Sequence, residues 1–262
     1  MSQESELIRH EPAFRKLFER VAELEMLLST QISAAEDGSD LASDDLSLDP
    51  LRLSSVAAAS LMVAIDHLRA VRLVLDSGIP VTAGFTLLRS AVEAAATVVW
   101  LLAPPDPLQR ATRVLRNQLT DTKDSNATVA VLSGRKGAGT GTEEMLRRKA
   151  SLLGVNVPLT RVTSSEMFLD IQRVLVDREG AGATDTPVVA TWRLLSAAAH
   201  GRGHFFDFLL SSEPNTEAVE SGVKSTKVWA EPGQFAMILG LTITMTEIAQ
   251  EIYAERADAS MS

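Results

Sequence analysis

The sequence predicts an all-α protein: a bundle of about seven or eight helices with an N-terminal helical arm. Apolar residues recur at three- and four-residue steps through most of the 262 residues. Hydrophobic residues make up 45% of the chain but aromatics only 5%, so alanine, leucine and valine carry a core suited to closely spaced helices. Proline and glycine fall in the gaps between the periodic segments.

Residues 11–30 put Phe14, Leu17, Phe18, Val21, Leu24, Leu27 and Leu28 on one face and form the arm, 1–32. Residues 33–48 turn to Ala, Asp, Ser and Gly. That is too little apolar surface to offset the entropy of ordering, so a flexible acidic linker is expected, letting the arm reach a neighbouring subunit. The bundle domain is then 49–256. Asp49 followed by Pro50 reads as an N-cap with proline in the first turn, opening a helix to about Leu75 that stops before Gly78 and Pro80.

Residues 82–103 are apolar nearly all round, the mark of a central buried helix, and Pro104 and Pro105 end it. A helix over 107–124 follows, with Arg110, Arg113 and Arg116 at three-residue steps, read as a solvated face. The run 133–142, SGRKGAGTGT, is a glycine-rich loop; it lacks the Lys-Ser/Thr step and the preceding strand of a phosphate-binding loop. Shorter helices are expected over 143–153 and 164–178, the second capped by Ser164 or Ser165. One long helix should run from Asp185 to Leu210, then either a loop or a small hairpin over 217–229, and a last helix over 232–255.

Composition removes several function classes. Cysteine is absent, which excludes disulfides, thiolate metal sites and cysteine nucleophiles and fits a reducing cytoplasm. A net charge of −9 argues against nonspecific coating of nucleic acid, which needs a positive field, while leaving room for a local basic site. The N-terminal MSQESELIRHEPAF has no apolar stretch of the signal-peptide kind. The most apolar runs, 81–103 and 235–249, are interrupted by Arg89 and Glu93 or are short, so no membrane anchor is expected.

The residues that point to chemistry lie in 191–210, TWRLLSAAAHGRGHFFDFLL. Wound as one helix at about 100° per residue, Arg193, Ser196, His200, His204 and Asp207 fall within a stripe of about 80°. Trp192, Leu194, Leu195, Phe205, Phe206, Leu209 and Leu210 turn elsewhere. A histidine with an ordinary pKa of about 6.5 can take and return a proton near neutrality, and a fixed guanidinium can stabilise charge on a phosphate oxygen. Those two groups suffice for metal-free cleavage of RNA by its own 2′-hydroxyl. Arg89 and Glu93, four apart in the most apolar helix, read as an ion pair with Asp66 or His67 as further partners, or with Glu93 steering His200.

The segment from Arg193 to His200, Arg-Leu-Leu-Ser-Ala-Ala-Ala-His, resembles the Arg-x(4 to 6)-His motif of the HEPN superfamily. These are α-helical proteins of bacterial defence, toxin–antitoxin and RNA-processing systems that typically dimerise with the motif at the shared interface. Leu88-Arg89 with Glu93 and Trp100, and Trp192-Arg193 with Ser196, His200 and Gly201, are also similar to helical bacterial proteins of this length. The resemblance implies a homodimer that binds or cleaves RNA, with Arg193 and His200 in the motif's two catalytic roles and no cofactor.

Two other readings use the same residues. The polar seam can simply order the interface of a noncatalytic dimeric scaffold or regulator. His200, His204 and Asp207 can instead hold zinc or iron, a generic histidine and carboxylate set without the glutamate of HExxH.

Overall fold

The computed structural model describes residues 3–29, 34–76, 78–134, 140–179, 188–214 and 226–261. Among them are ten α-helices and one two-stranded ribbon. In chain order these are α1 Gln3–Ser29, α2 Asp40–Leu48, α3 Leu53–Leu75, α4 Ala83–Leu102, α5 Pro107–Ser133, α6 Thr140–Leu152, α7 Ser164–Glu179, α8 Val188–Ala199 and α9 Gly203–Leu209. Strands β1 Leu210–Pro214 and β2 Thr226–Ala230 come next, then α10 Pro232–Ala257 and a 3-10 turn, Ala259–Met261. The fold is all-α, as its periodicity predicts.

Helix α4 is the hub, packing against α3, α5, α7, α8 and α10. Its near-continuous apolar surface makes that possible: Phe85, Leu88, Val92, Val99 and Trp100 are all buried, and Ala91, Ala95 and Ala96 let neighbouring helices approach closely. At its first turn Gly84 leaves room for the ring of Phe235 from α10; a Cβ there would lie 2.6 Å from Phe235 Cε2. A row of aromatic rings crosses the core at this level. Phe14 meets Phe235 at 6.5 Å between centroids, Phe235 meets Phe85 at 5.0 Å, and Phe85 meets Phe205 at 5.4 Å.

The expected arm is part of the body. Helix α1 packs on α10 and α3 of its own chain, burying Phe14, Val21 and Leu24, and Arg20 pairs with Glu247 of α10. The flexible linker expected over 33–48 is replaced from Asp40 onward by helix α2. Ser39 caps it, its hydroxyl accepting from the Ala42 N–H at 3.2 Å. Leu41, Asp44, Asp45 and Leu48 form its buried face, so two core positions are carboxylates.

Those carboxylates stay buried because partners reach them. Arg110 of α5, 2% exposed, donates to Asp44 from Nε at 2.6 Å and Nη2 at 3.2 Å, and from Nη1 to the carbonyls of Pro104 and Pro105. Asp45 accepts from the Ser54 N–H at 3.0 Å and from its hydroxyl, satisfying the first turn of α3 from outside. Asp49 is therefore the residue that ends α2, not the cap of the next helix, and α3 starts only at Leu53.

The arginines expected on a solvated face of α5 turn inward instead. Arg113 lies over the Trp100 ring at 5.2 Å and donates to the Trp100 carbonyl. Arg116 pairs with Glu166 of α7 at 2.8 Å. Helix α5 also runs past Asp124 to Ser133 and ends on Gly134 at φ +67°. Of the glycine-rich loop, 140–142 belong to α6, and 135–139 lie outside the described residues. Thr163, not Ser164 or Ser165, caps α7, its hydroxyl accepting from the Glu166 N–H at 3.2 Å.

Residues 210–214 and 226–230 pair as β1 antiparallel to β2, with Leu210 opposite Ala230 and Pro214 opposite Thr226; 215–225, within which most of the expected loop or hairpin over 217–229 falls, lie outside the described residues. Helices α4 and α10 are, by length and composition, apolar enough to cross a membrane, and the bent pair α2–α3 passes the same test together. The run 235–249 reads as too short for a span, but the helix that contains it, α10, extends to 26 residues and passes that test. In the fold, 61% of each of the two windows is buried against other helices.

Candidate functional site

Helix α8 is held against α4 by a small polar network. Arg89 of α4 donates from Nε to Ser196 Oγ at 3.2 Å and from Nη2 to Glu93 Oε1 at 3.0 Å. The same Glu93 oxygen accepts from Trp192 Nε1 at 2.7 Å. Trp192 in turn stacks on Phe168 of α7, 5.0 Å apart and 17° from parallel. The Arg89–Glu93 pair is thus as the sequence predicts, but its further partners are Ser196 and Trp192, not Asp66 or His67. Glu93 bonds Arg89 and Trp192; no bond joins it to His200 among the described residues. The Trp100 indole donates to Asp170 at 3.3 Å and serves the core.

The long helix expected from Asp185 to Leu210 is two helices. Asp185 lies outside the described residues, and α8 begins at Val188. It stops in a Schellman turn: the Arg202 N–H bonds the Ala197 carbonyl at 2.9 Å, the Gly201 N–H bonds the Ala198 carbonyl at 3.2 Å, and Gly201 takes φ +61°. Glycine alone adopts that left-handed conformation without strain. Gly203, two residues on, opens α9.

The break divides the predicted stripe. The His200 N–H still bonds the Ser196 carbonyl at 3.2 Å, so Arg193, Ser196 and His200 keep one helical register, with Arg193 and His200 about 10 Å apart along the axis. His204 and Asp207 sit on α9, beyond the turn, and the 100° arithmetic no longer relates them to Arg193. Among the described residues no group of three or more histidine, aspartate or glutamate side chains could hold a metal ion.

Most described arginines, among them Arg20, Arg110, Arg116, Arg178 and Arg256, pair with a carboxylate. Arg193 and Arg202, like the exposed Arg52, Arg69 and Arg148, pair with no carboxylate among the described residues; they bracket His200 in sequence, His204 lies two residues past Arg202, and Arg193, His200, Arg202 and His204 are all exposed. Two clefts occur elsewhere. One, of about 700 Å³, lies at the α2–α3 corner beside Asp45, Arg52 and Tyr253, and one of about 460 Å³ lies between α5, α7 and α10 beside Arg113 and Arg178. Neither is lined by Arg193 or His200.

Sequence reasoning also misplaced the aromatics. Phe206, read as turned away into the apolar part, is 43% exposed, and Phe208 is 65% exposed. The signal was present in Phe205-Phe206-Asp207-Phe208: three phenylalanines in four positions of a seven-residue helix cannot all face one core. Phe205 takes the inward place.

Fold and seam together define an all-α bundle protein in which two arginines, two histidines and Asp207 are exposed in the segment 193–207 across the end of α8. Comparison of the chain with protein families, with curated proteins and with solved structures finds no match.

Proposed function

We propose that the protein is a HEPN-like RNA-binding protein that cleaves RNA without a metal, acting as a homodimer in which two α8 seams combine, in a defence or stress setting. The observation that carries this reading is the register of Arg193 and His200. They share one exposed face of α8, two turns apart, and neither is engaged by another side chain among the described residues. An anion entering here meets a guanidinium that is not neutralised by a neighbour, in a protein whose other arginines are mostly paired.

The chemistry such a pair supports is a transesterification. One imidazole takes the proton of a ribose 2′-hydroxyl, the O2′–P bond forms as P–O5′ breaks, and a proton returns to O5′, leaving a cyclic phosphate and a free 5′-hydroxyl. Arg193 would hold a nonbridging phosphate oxygen as charge builds on it. The test is incubation of structured RNA with purified protein in EDTA. Cleavage that His200→Ala and Arg193→Ala each abolish supports the reading; cleavage by the His200→Ala protein, or none by the wild type, overturns it.

A second reading, a noncatalytic dimeric scaffold or regulator, is favoured by one observation: the two clefts at the α2–α3 corner and between α5, α7 and α10 are both lined by other residues than Arg193 and His200. It expects a stable dimer that His200→Ala leaves intact, with no RNA turnover.

A further inference from the structure

Helix α3 keeps one face free of the rest of the fold. Its inward residues, among them Ala57, Leu61, Ala64, Leu68 and Val71, are buried, while Ser55, Ala59, Met62, Asp66, Arg69 and Leu73 are exposed. Those six recur at alternating steps of four and three, so they fall within a stripe of about 80° along an unbroken helix. Alternating steps of four and three are the spacing of a coiled-coil seam.

A stripe left to water usually carries several lysines and glutamates. This one carries Ala59, Met62 and Leu73, with Val63 exposed at its edge, and a single acid and a single base at its middle. Asp66 and Arg69 stand one turn apart on the same helix, yet they make no ion pair with each other or with any other side chain among the described residues.

The order of these residues becomes self-complementary when one copy is reversed. Two copies of α3 laid antiparallel about a two-fold axis between positions 67 and 68 set Asp66 of each against Arg69 of the other, and Met62 of each against Leu73 of the other. Two ion pairs then form the centre with an apolar layer on either side, and Ala59 reaches the end of the second helix at Asp76. Other alignments lose this match. Parallel copies put Asp66 against Asp66 and Arg69 against Arg69. Sliding the antiparallel pair by seven residues faces Asp66 with Met62 and Arg69 with Ala59 in one direction, or Arg69 with Leu73 and Asp66 with Asp76 in the other. Opposed like charges, and charges covered by apolar side chains, both cost free energy.

We infer that α3 is a self-association face at which two copies of this chain pair antiparallel, with Asp66 and Arg69 fixing direction and register. The face stands apart from the α8 seam: α3 and α8 are separate neighbours of α4, and a chain using both interfaces closes as a tetramer with a two-fold axis through each.

Sedimentation equilibrium on the intact chain tests this. Asp66→Arg leaves an arginine facing Arg69 at both central pairs, and Arg69→Asp leaves an aspartate facing Asp66, so each variant should sediment at half the wild-type mass. An equimolar mixture of the two matches every charge again and should regain the full mass, as should the double variant Asp66→Arg/Arg69→Asp. Because both positions are exposed, the variants are expected to melt with the wild type, checked by circular dichroism. The chain has no cysteine, so introduced thiols report register: a mixture of Met62→Cys and Leu73→Cys should form a disulfide-linked pair on mild oxidation, whereas in either variant alone the thiols stand about 16 Å apart along the axis and should not link. A wild type of monomer mass throughout the micromolar range, single variants that keep the wild-type mass, or a mixture that stays at half mass each overturns the inference. Unchanged mass in the single variants also places the association on another face, the α8 seam included.

Discussion

Replacing Arg110 with methionine should be among the most damaging single changes in the protein. The side chain is 2% exposed and makes four hydrogen bonds, two to Asp44 and one each to the Pro104 and Pro105 carbonyls. Its loss leaves the Asp44 carboxylate buried without its counter-ion, which costs about 3–5 kcal/mol. The Pro105 carbonyl loses its donor, adding about 1 kcal/mol, whereas Pro104 keeps the Arg256 Nη2 donor at 3.3 Å. The sum, about 4–6 kcal/mol, corresponds to a fall in melting temperature of about 10–20 °C for a chain of this size.

Asp44→Leu should cost less, because Arg110 retains both carbonyls and has Asp40 at 3.8 Å. The double variant should recover to within about 2 kcal/mol of wild type, since an apolar pair can replace a buried ion pair. The Arg110→Met deficit should also depend on pH. Burial pushes the Asp44 carboxyl above the ordinary carboxylate range, with the Arg110 guanidinium pulling the other way; without Arg110 the group rises further. A raised folded pKa makes the neutral form easy to bury at low pH and costly at high pH, so the gap to wild type widens from pH 4 to pH 7. Urea unfolding followed at 222 nm on all four proteins measures each quantity. A loss under about 1 kcal/mol for Arg110→Met, or a double variant whose loss equals the sum of the singles, would refute the reasoning.

Two further outcomes follow from local geometry. Gly84→Ala puts a methyl 2.6 Å and 2.8 Å from the Phe235 ring, which Phe14 and Phe85 hold in place. It should destabilise by about 1–3 kcal/mol in urea unfolding despite the better helix propensity of alanine; an unchanged or higher midpoint contradicts the close packing of α4 and α10. Acid should weaken the fold through Glu166 and Glu255, whose carboxyls are held below the ordinary range by hydrogen bonds from Arg116 and Arg178 respectively. A depressed folded pKa contributes stability that is complete above the unfolded value of about 4.3 and is lost as pH falls through the folded value. Arg116→Gln and Arg178→Gln should therefore show a shallower decline between neutral and acid pH than wild type, and equal declines would remove these pairs from the explanation.

Helix α4 was legible because burial on all sides writes itself as a nearly unbroken apolar run, and the Arg89–Glu93 pair because four residues is one helical turn. Helix α2 was not. Its core face follows the three- and four-residue step at 41, 44, 45 and 48, but two of those positions are aspartates. What makes them buriable, Arg110 and Ser54, lies elsewhere in the chain. The same non-locality hid the true environment of Arg113 and Arg116, since spacing shows which residues share a face and not what covers it. In the candidate site the register of Arg193, Ser196 and His200 was readable, and the stop at Gly201 was not. Gly201 and Gly203 look alike in sequence, and only the positive φ of the first separates a helix end from a tolerated glycine.

With the helix broken at that turn, α8 and α9 still pack against each other, and each also reaches α4 through its own side chains. Phe85 receives α9 through Phe205, while Arg89 and Glu93 receive α8 through Ser196 and Trp192. The eight-residue step from Phe85 to Glu93, about 12 Å of helix, thus separates the two points at which α4 receives them. A change at Phe85 would therefore reach α9 through Phe205 first, and α8 through its packing on α9.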